Sequence, residues 1–171
     1  MHQVGPPEHP NTQKNLGAVV IRRAVAADED GILRCLAAAF QKYRADYTAE
    51  AFADTVLNPE LLAARLQHMQ VLVAVSPEGI VGTVAASSTA DDGHLRGMAV
   101  LPDRQGSGLA SKLLHAIETW LGDNGCKVVT LDTTLPLKAA IRFYEKSGYQ
   151  KSGKVSNFFG MPLLEYVKKL G

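Results

Sequence analysis

The stretch Val100–Leu114, VLPDRQGSGLASKLL, gathers the residues best suited to hold a ligand: an apolar strand end, a proline turn, a glycine-rich loop and then a helical pattern. Gly106 and Gly108 let the main chain approach a ligand closely, and the first turn of the helix that follows presents N–H groups with no partner inside the helix. Those donors, with the positive end of the helix dipole, favour an anion and above all a phosphate. The stretch has no Gly-Lys-Ser/Thr of a P-loop, and GSGLAS lacks the third spaced glycine of a dinucleotide fingerprint. Taken alone, the same residues also make a loop and helix cap that bind nothing.

The loop resolves into Gln105-x-x-Gly108-x-Ala110, preceded by Val100-x-Pro102 and followed by Ser111. This resembles the signature loop of the GCN5-related N-acetyltransferase (GNAT) superfamily, which binds the pyrophosphate of acetyl-coenzyme A. Further along, Ala140-x-x-Phe143-Tyr144-Glu145-Lys146-x-Gly148-Tyr149 resembles a second block of that superfamily, Ala-x-x-x-Tyr-Glu-x-x-Gly-Phe. The resemblance implies a pyrophosphate held by Gln105, Gly106, Ser107, Gly108, Leu109, Ala110 and Ser111. It implies a pantetheine arm paired with the main chain of Met98, Ala99 and Val100 as if it were an extra strand, and a Tyr144 hydroxyl beside the coenzyme sulfur. Two departures stand out. Leu137 occupies the place, seven residues before Tyr144, where many relatives carry an Asn that contacts the coenzyme, so Thr133 or Thr134 is left to replace it. His94 stands near the start of the strand before the loop, where many relatives carry a Glu.

The reaction so implied is attack of a neutral amine on a thioester carbonyl, through a tetrahedral intermediate, with the coenzyme A thiolate leaving. An alkyl amine of pKa ~10.4 requires about 4.6 kcal/mol to lose its proton at pH 7, whereas an α-amine near 8 requires only ~1 kcal/mol. A primary amine therefore gains from a general base. His94 has a suitable intrinsic pKa, and the competing reading is a surface histidine at a strand start. Tyr144 is the candidate acid, against a packed helix tyrosine. A phenol of pKa ~10 protonating a thiolate of ~8.5 is uphill by about 2 kcal/mol, so its help is moderate. His68 and His115 have no partner at metal-ligand spacing, and no metal is expected. The expected activity is transfer of an acetyl group from acetyl-CoA to a primary amine of a small molecule, by direct attack in a ternary complex. A protein or peptide N-acetyltransferase and a non-catalytic acyl-CoA-binding module are the alternatives.

The 171 residues suit one domain. A net charge of +1 and the absence of any Lys/Arg run give no field for nucleic acid or an anionic membrane. Cys35 and Cys126, both in apolar runs, read as reduced core thiols, and the first 17 residues, with three of the eight prolines, read as a flexible arm. No signal or membrane segment is expected there, which points to the cytoplasm. A strand at residues 18–25 leads into a helix with Ile32, Leu33, Leu36, Ala37 and Phe40 on its packed face. Helical pieces split by Asn58 and Pro59 follow, then a hairpin (VLVAV and IVGTVAA) and a third strand at residues 94–101 that feeds the loop. Leu109, Leu113, Ile117 and Leu121 mark the next helix. Val128–Thr133 returns parallel to the strand before the loop, a helix starts at Pro136, and two closing strands end the chain. The fold expected is a mixed α/β domain over residues 18–171. Its mostly antiparallel sheet has about seven strands, flanked by about four helices, and the GNAT resemblance implies that it is splayed between the strand at residues 94–101 and that at 128–133. In the resemblance the region after the first helix covers the acceptor site, which makes Phe40, Tyr43, Tyr47 and Phe52 candidate acceptor-facing aromatics, against ordinary core or rim residues, and the last strands leave a homodimer open.

Overall fold

The strand VLVAV is apolar at every position because it is covered on both sides. In the computed structural model, which describes residues 18–171, Leu72 and Ala74 face one core while Val71 and Val73 face the other. The expected arm at residues 1–17 lies outside the described residues.

Seven strands, β1 (Val20–Arg23), β2 (Gln70–Ser76), β3 (Gly79–Thr89), β4 (Asp92–Val100), β5 (Val128–Thr134), β6 (Gln150–Phe158) and β7 (Met161–Lys169), form one sheet. Its order is β1-β2-β3-β4-β5-β7-β6. Only β4 and β5 pair in parallel; every other neighbour is antiparallel. The helices are α1 (Glu29–Phe40), α2 (Ala49–Val56), α3 (Pro59–His68), α4 (Leu109–Asp123) and α5 (Lys138–Lys146). The segment that the sequence divides at Asn58 and Pro59 becomes two separately capped helices, making five. Thr48 accepts from the Ala51 N–H at 3.2 Å, Asn58 accepts from the Leu61 N–H at 2.8 Å, and Pro59 fills the first turn of α3.

On one face, α4 buries Leu109, Leu113, Leu114, Ile117 and Leu121 against β2, β3, β4 and β5. On the other, α1 and α3 cover Val71, Val73, Ala85 and Ala99. The packed arc of α1 differs from the expected one. Ile32, Cys35, Leu36 and Ala39 are buried, Leu33 and Phe40 are half-buried, and Ala37 is exposed. Small Cys35 and Ala39 let the helix close on the sheet, where the Cys35 thiol reaches the Ala99 carbonyl at 3.9 Å. Burial pushes that thiol up to about 12, so it stays protonated and unreactive.

The feature that positions everything else is where β4 and β5 part. They pair only from Asp92↔Val128 to Leu95↔Leu131. Beyond that, β4 stays on β3 as far as Val100, and β5 stays on β7 as far as Thr134. The sheet therefore opens between Arg96–Val100 and Asp132–Thr134. A bulge drives the divergence: β4 advances from Arg96 to Ala99 while β3 advances only from Thr83 to Ala85, and the extra residue twists the strand away. Gly97, at φ 62°, takes the left-handed conformation this needs.

Candidate active site

The opening in the sheet holds a cavity of about 480 Å³, within the usual range of small-molecule sites. It is walled by Met98, Ala99 and Val100 of β4, by Thr133 and Thr134 of β5, by the loop ahead of α4, and by Tyr144 of α5. The sequence places the loop and both strands here; the structure brings Tyr144 and His94 to the same cavity.

At the loop end, Gly108 stands at the N-cap of α4 with φ 84°, and Gly106 has φ 75°. A Cβ added at either meets no protein atom within 4 Å. The positive φ, together with space that the chain does not fill, accounts for both glycines. Gln105 is fixed by its side-chain bond to the Val100 carbonyl at 3.2 Å, and the Ser107 hydroxyl donates to the Arg104 carbonyl. The first internal bond of α4 runs from the Lys112 N–H to the Gly108 carbonyl at 3.2 Å. From Gly106 to Ser111 the N–H groups therefore have no acceptor among the described residues. A run of such donors at a helix start is matched to a phosphate.

Midway along the cavity the Thr133 hydroxyl is buried without a hydrogen-bond partner. An orphaned buried donor of this kind is unfavourable by about 1–3 kcal/mol unless a ligand pairs with it. Thr134 is already committed, because its hydroxyl lies 2.6 Å from the Tyr47 hydroxyl. Of the two threonines the sequence leaves beside Leu137, Thr133 is the free one. Thr133→Val is expected to raise the melting temperature of the unliganded protein and to weaken acetyl-CoA binding several-fold, both read by thermal unfolding with and without ligand.

Tyr144 is buried, packed edge-on to Tyr149 at 5.7 Å between ring centres and beside Phe143 at 5.3 Å. Its hydroxyl makes no hydrogen bond among the described residues and faces the cavity. Desolvation holds the phenol well above its ordinary value, so it stays protonated at any physiological pH.

His94 sits on the last paired stretch of β4, opposite Thr130. Its Nδ1 is 2.8 Å from the Thr130 hydroxyl and its Nε2 is 3.5 Å from an Asp132 carboxylate oxygen. Burial lowers its pKa below 6.5, partly countered by Asp132 and reinforced by Arg96. The imidazole is neutral at pH 7. Thr130 and Asp132 are companions that the sequence reading missed, although they alternate with apolar Val129 and Leu131, the signal of one strand face.

Among the expected aromatics, Phe40, Tyr43 and Tyr47 line the cavity, with Phe40 and Tyr43 at 6.5 Å. Phe52 does not: it packs edge-on to Tyr47 at 6.3 Å, under the Arg44 guanidinium, in a separate surface depression. Helix α2 turns that position outward from the cavity.

Residues 32–149 match the Acetyltransferase (GNAT) family. This chain belongs to the GNAT family. Curated relatives agree: it is 34% identical over 71 residues to an aminoglycoside N(6')-acetyltransferase type 1 from Stenotrophomonas maltophilia, covering 42% of this chain and 46% of that protein. It is also 27% identical over 139 residues to the uncharacterized N-acetyltransferase YhfO of Bacillus subtilis, covering 77% and 89%. The chain spans less than half the length of three of its curated relatives, 41% to 46%. In fold it resembles the PaiA N-acetyltransferase of Thermoplasma acidophilum, solved in complex with coenzyme A. The TM-score is 0.75 at 17% identity over 89% of this chain and 99% of that one. Its GNAT sheet, split between β4 and β5, is the expected one. No group of metal-ligating side chains occurs among the described residues, and no helix there is long and apolar enough to cross a membrane.

Proposed function

We propose that this GNAT protein transfers an acetyl group from acetyl-CoA to a primary amine of a small molecule, by direct attack in a ternary complex. The observation that carries the reading is one cavity joining three features. These are the unpaired N–H groups of Gly106–Ser111, the open edge of β4 at Met98–Val100, and the Tyr144 hydroxyl. Bound acetyl-CoA supplies the acyl group as an activated thioester. The loop holds its pyrophosphate, Met98 to Val100 pair with its pantetheine arm, and the Thr133 hydroxyl takes the place of the missing Asn contact.

His94 is the proposed base. With the Thr130 hydroxyl donating to the Gly93 carbonyl at 3.5 Å, its oxygen accepts from Nδ1–H and leaves the lone pair on Nε2. Nε2 takes the amine proton directly or through a water, and the imidazolium then gains from Asp132. Tyr144 returns a proton to the departing sulfur. Reaction requires neutral His94, so kcat/KM is expected to rise with pH through a single ionisation below 6.5 and to level off above it. His94→Ala is expected to remove that acid limb; an unchanged profile and rate would place the base elsewhere.

A small acceptor is favoured over a peptide because two hydrogen bonds draw the acceptor side together. The Tyr47 hydroxyl meets Thr134 at 2.6 Å, and the Thr48 hydroxyl donates to the Phe159 carbonyl at 2.8 Å. These bonds tie the start of α2 to the end of β5 and to the β6–β7 turn, which narrows the approach for an extended peptide. Thiol release from acetyl-CoA over a panel of amines and peptides tests this. Turnover confined to peptides would overturn the small-molecule assignment, and the two buried thiols suit a reducing, cytoplasmic setting.

A further inference from the structure

Arg65, on α3, reaches over the β4 bulge into the acceptor side of the cavity, so close that a Cβ on Gly97 would collide with its guanidinium. It is half-buried and has no carboxylate within ion-pair distance among the described residues. The nearby acid, Asp54 of α2, lies 3.5 Å from Arg96 instead. One carboxylate facing two guanidinium groups leaves a single uncompensated positive charge on this wall. Beside it Asp132 faces the neutral His94, and Lys42 stacks on the Tyr43 ring at 5.1 Å, one further charge of each sign, so the single positive charge remains. Burial and the like charge of Arg96 both disfavour the charge on Arg65, while Asp54 favours it. A guanidinium carries five donors in a planar fork that fits a carboxylate, and leaving them unpaired in a half-buried wall is unfavourable without a ligand.

We infer that the acceptor is an amine that also carries a carboxylate, an amino acid or a close relative, and that Arg65 binds that carboxylate. This rests on the acetyltransferase reading above. The charge is singly positive, which suits a carboxylate better than a dianionic phosphate. The coenzyme pyrophosphate belongs to the loop, beyond the far end of the ~10 Å of β4 from Gly97 to Val100. Gly97, against which the Arg65 guanidinium lies, follows His94 by three residues of β4, about 10 Å, so a base and a carboxylate anchor flank the same short acceptor.

The test compares matched pairs in the thiol-release assay: L-phenylalanine with phenethylamine, L-lysine with cadaverine, and L-methionine with L-methioninamide. The wild type is expected to prefer the carboxylated member of at least one pair by 10-fold or more in kcat/KM. Arg65→Met, which keeps an apolar stem, is expected to collapse that ratio to near one through KM, and Arg65→Lys to restore part of it. Thermal unfolding of each variant verifies the fold. Calorimetry of the coenzyme A complex with N-acetyl-L-phenylalanine against N-acetylphenethylamine reads the same preference without turnover. Equal use of both members, or a ratio that survives Arg65→Met, would overturn the inference and leave the acetyltransferase intact. Binding of acetyl-CoA with no acetylation of any amine would instead overturn the catalytic reading, and the inference with it.

Discussion

Gly108→Val is expected to lower the affinity for acetyl-CoA about 100-fold in a protein that still folds. The residue adopts φ 84° at the N-cap of α4, lines the cavity, and has open space where a side chain would begin. A valine there adds backbone strain of about 1–2 kcal/mol and fills the place the proposed pyrophosphate takes. Losing one or two charge-assisted hydrogen bonds, at roughly 1.5–3 kcal/mol each, accounts for the 100-fold, since 1.4 kcal/mol is a factor of ten. Gly108→Asn separates strain from obstruction, because asparagine tolerates the left-handed conformation yet still points a Cβ at the anion. Calorimetry on both variants is the check. Wild-type affinity in a folded Gly108→Val protein would remove the loop from the site.

The second large effect is on turnover. Tyr144→Phe is expected to reduce kcat by about 100-fold, the lower part of the range for general acids, while changing acetyl-CoA affinity little. The phenol is held protonated by burial, and the transfer to sulfur remains uphill, which keeps the contribution moderate. The hydroxyl has no protein partner to lose among the described residues, so stability should not fall, and a change in kcat reports chemistry rather than unfolding. Full kcat in Tyr144→Phe on an identified acceptor would refute the acid role.

Much of this architecture is readable from local pattern. The two-sided apolar strand β2, the leucine and isoleucine spacing of α4 and the glycines of the loop each have a purely local cause, so they fall where the sequence puts them. The shift in the packed arc of α1 has another origin. Ala37 and Ala39 are the same residue type, and only the surface of the sheet decides which of them faces it. Phe52 looks like its aromatic neighbours until α2 turns it into a different depression. Thr133 and Thr134 are adjacent and chemically identical, and the Tyr47 hydroxyl, 87 positions away in sequence, determines which one is free. Arg65 has a sequence signal, an arginine beside Leu62 and Leu66 on the narrow apolar stripe of a mostly exposed helix, but its lack of an ion-pair partner emerges only when α2, α3 and β4 meet.

The central claim is that acetyl-CoA occupies the opening between β4 and β5 with its pyrophosphate on the loop. Two-dimensional amide NMR of the isotopically labelled protein, titrated with coenzyme A, measures this residue by residue. The account predicts large downfield shifts for the unpaired amides of Gly106 to Ser111, together with shifts along Met98 to Val100, Thr133 and Tyr144. Saturable binding that leaves those amides unmoved, or that moves a different surface, would contradict it.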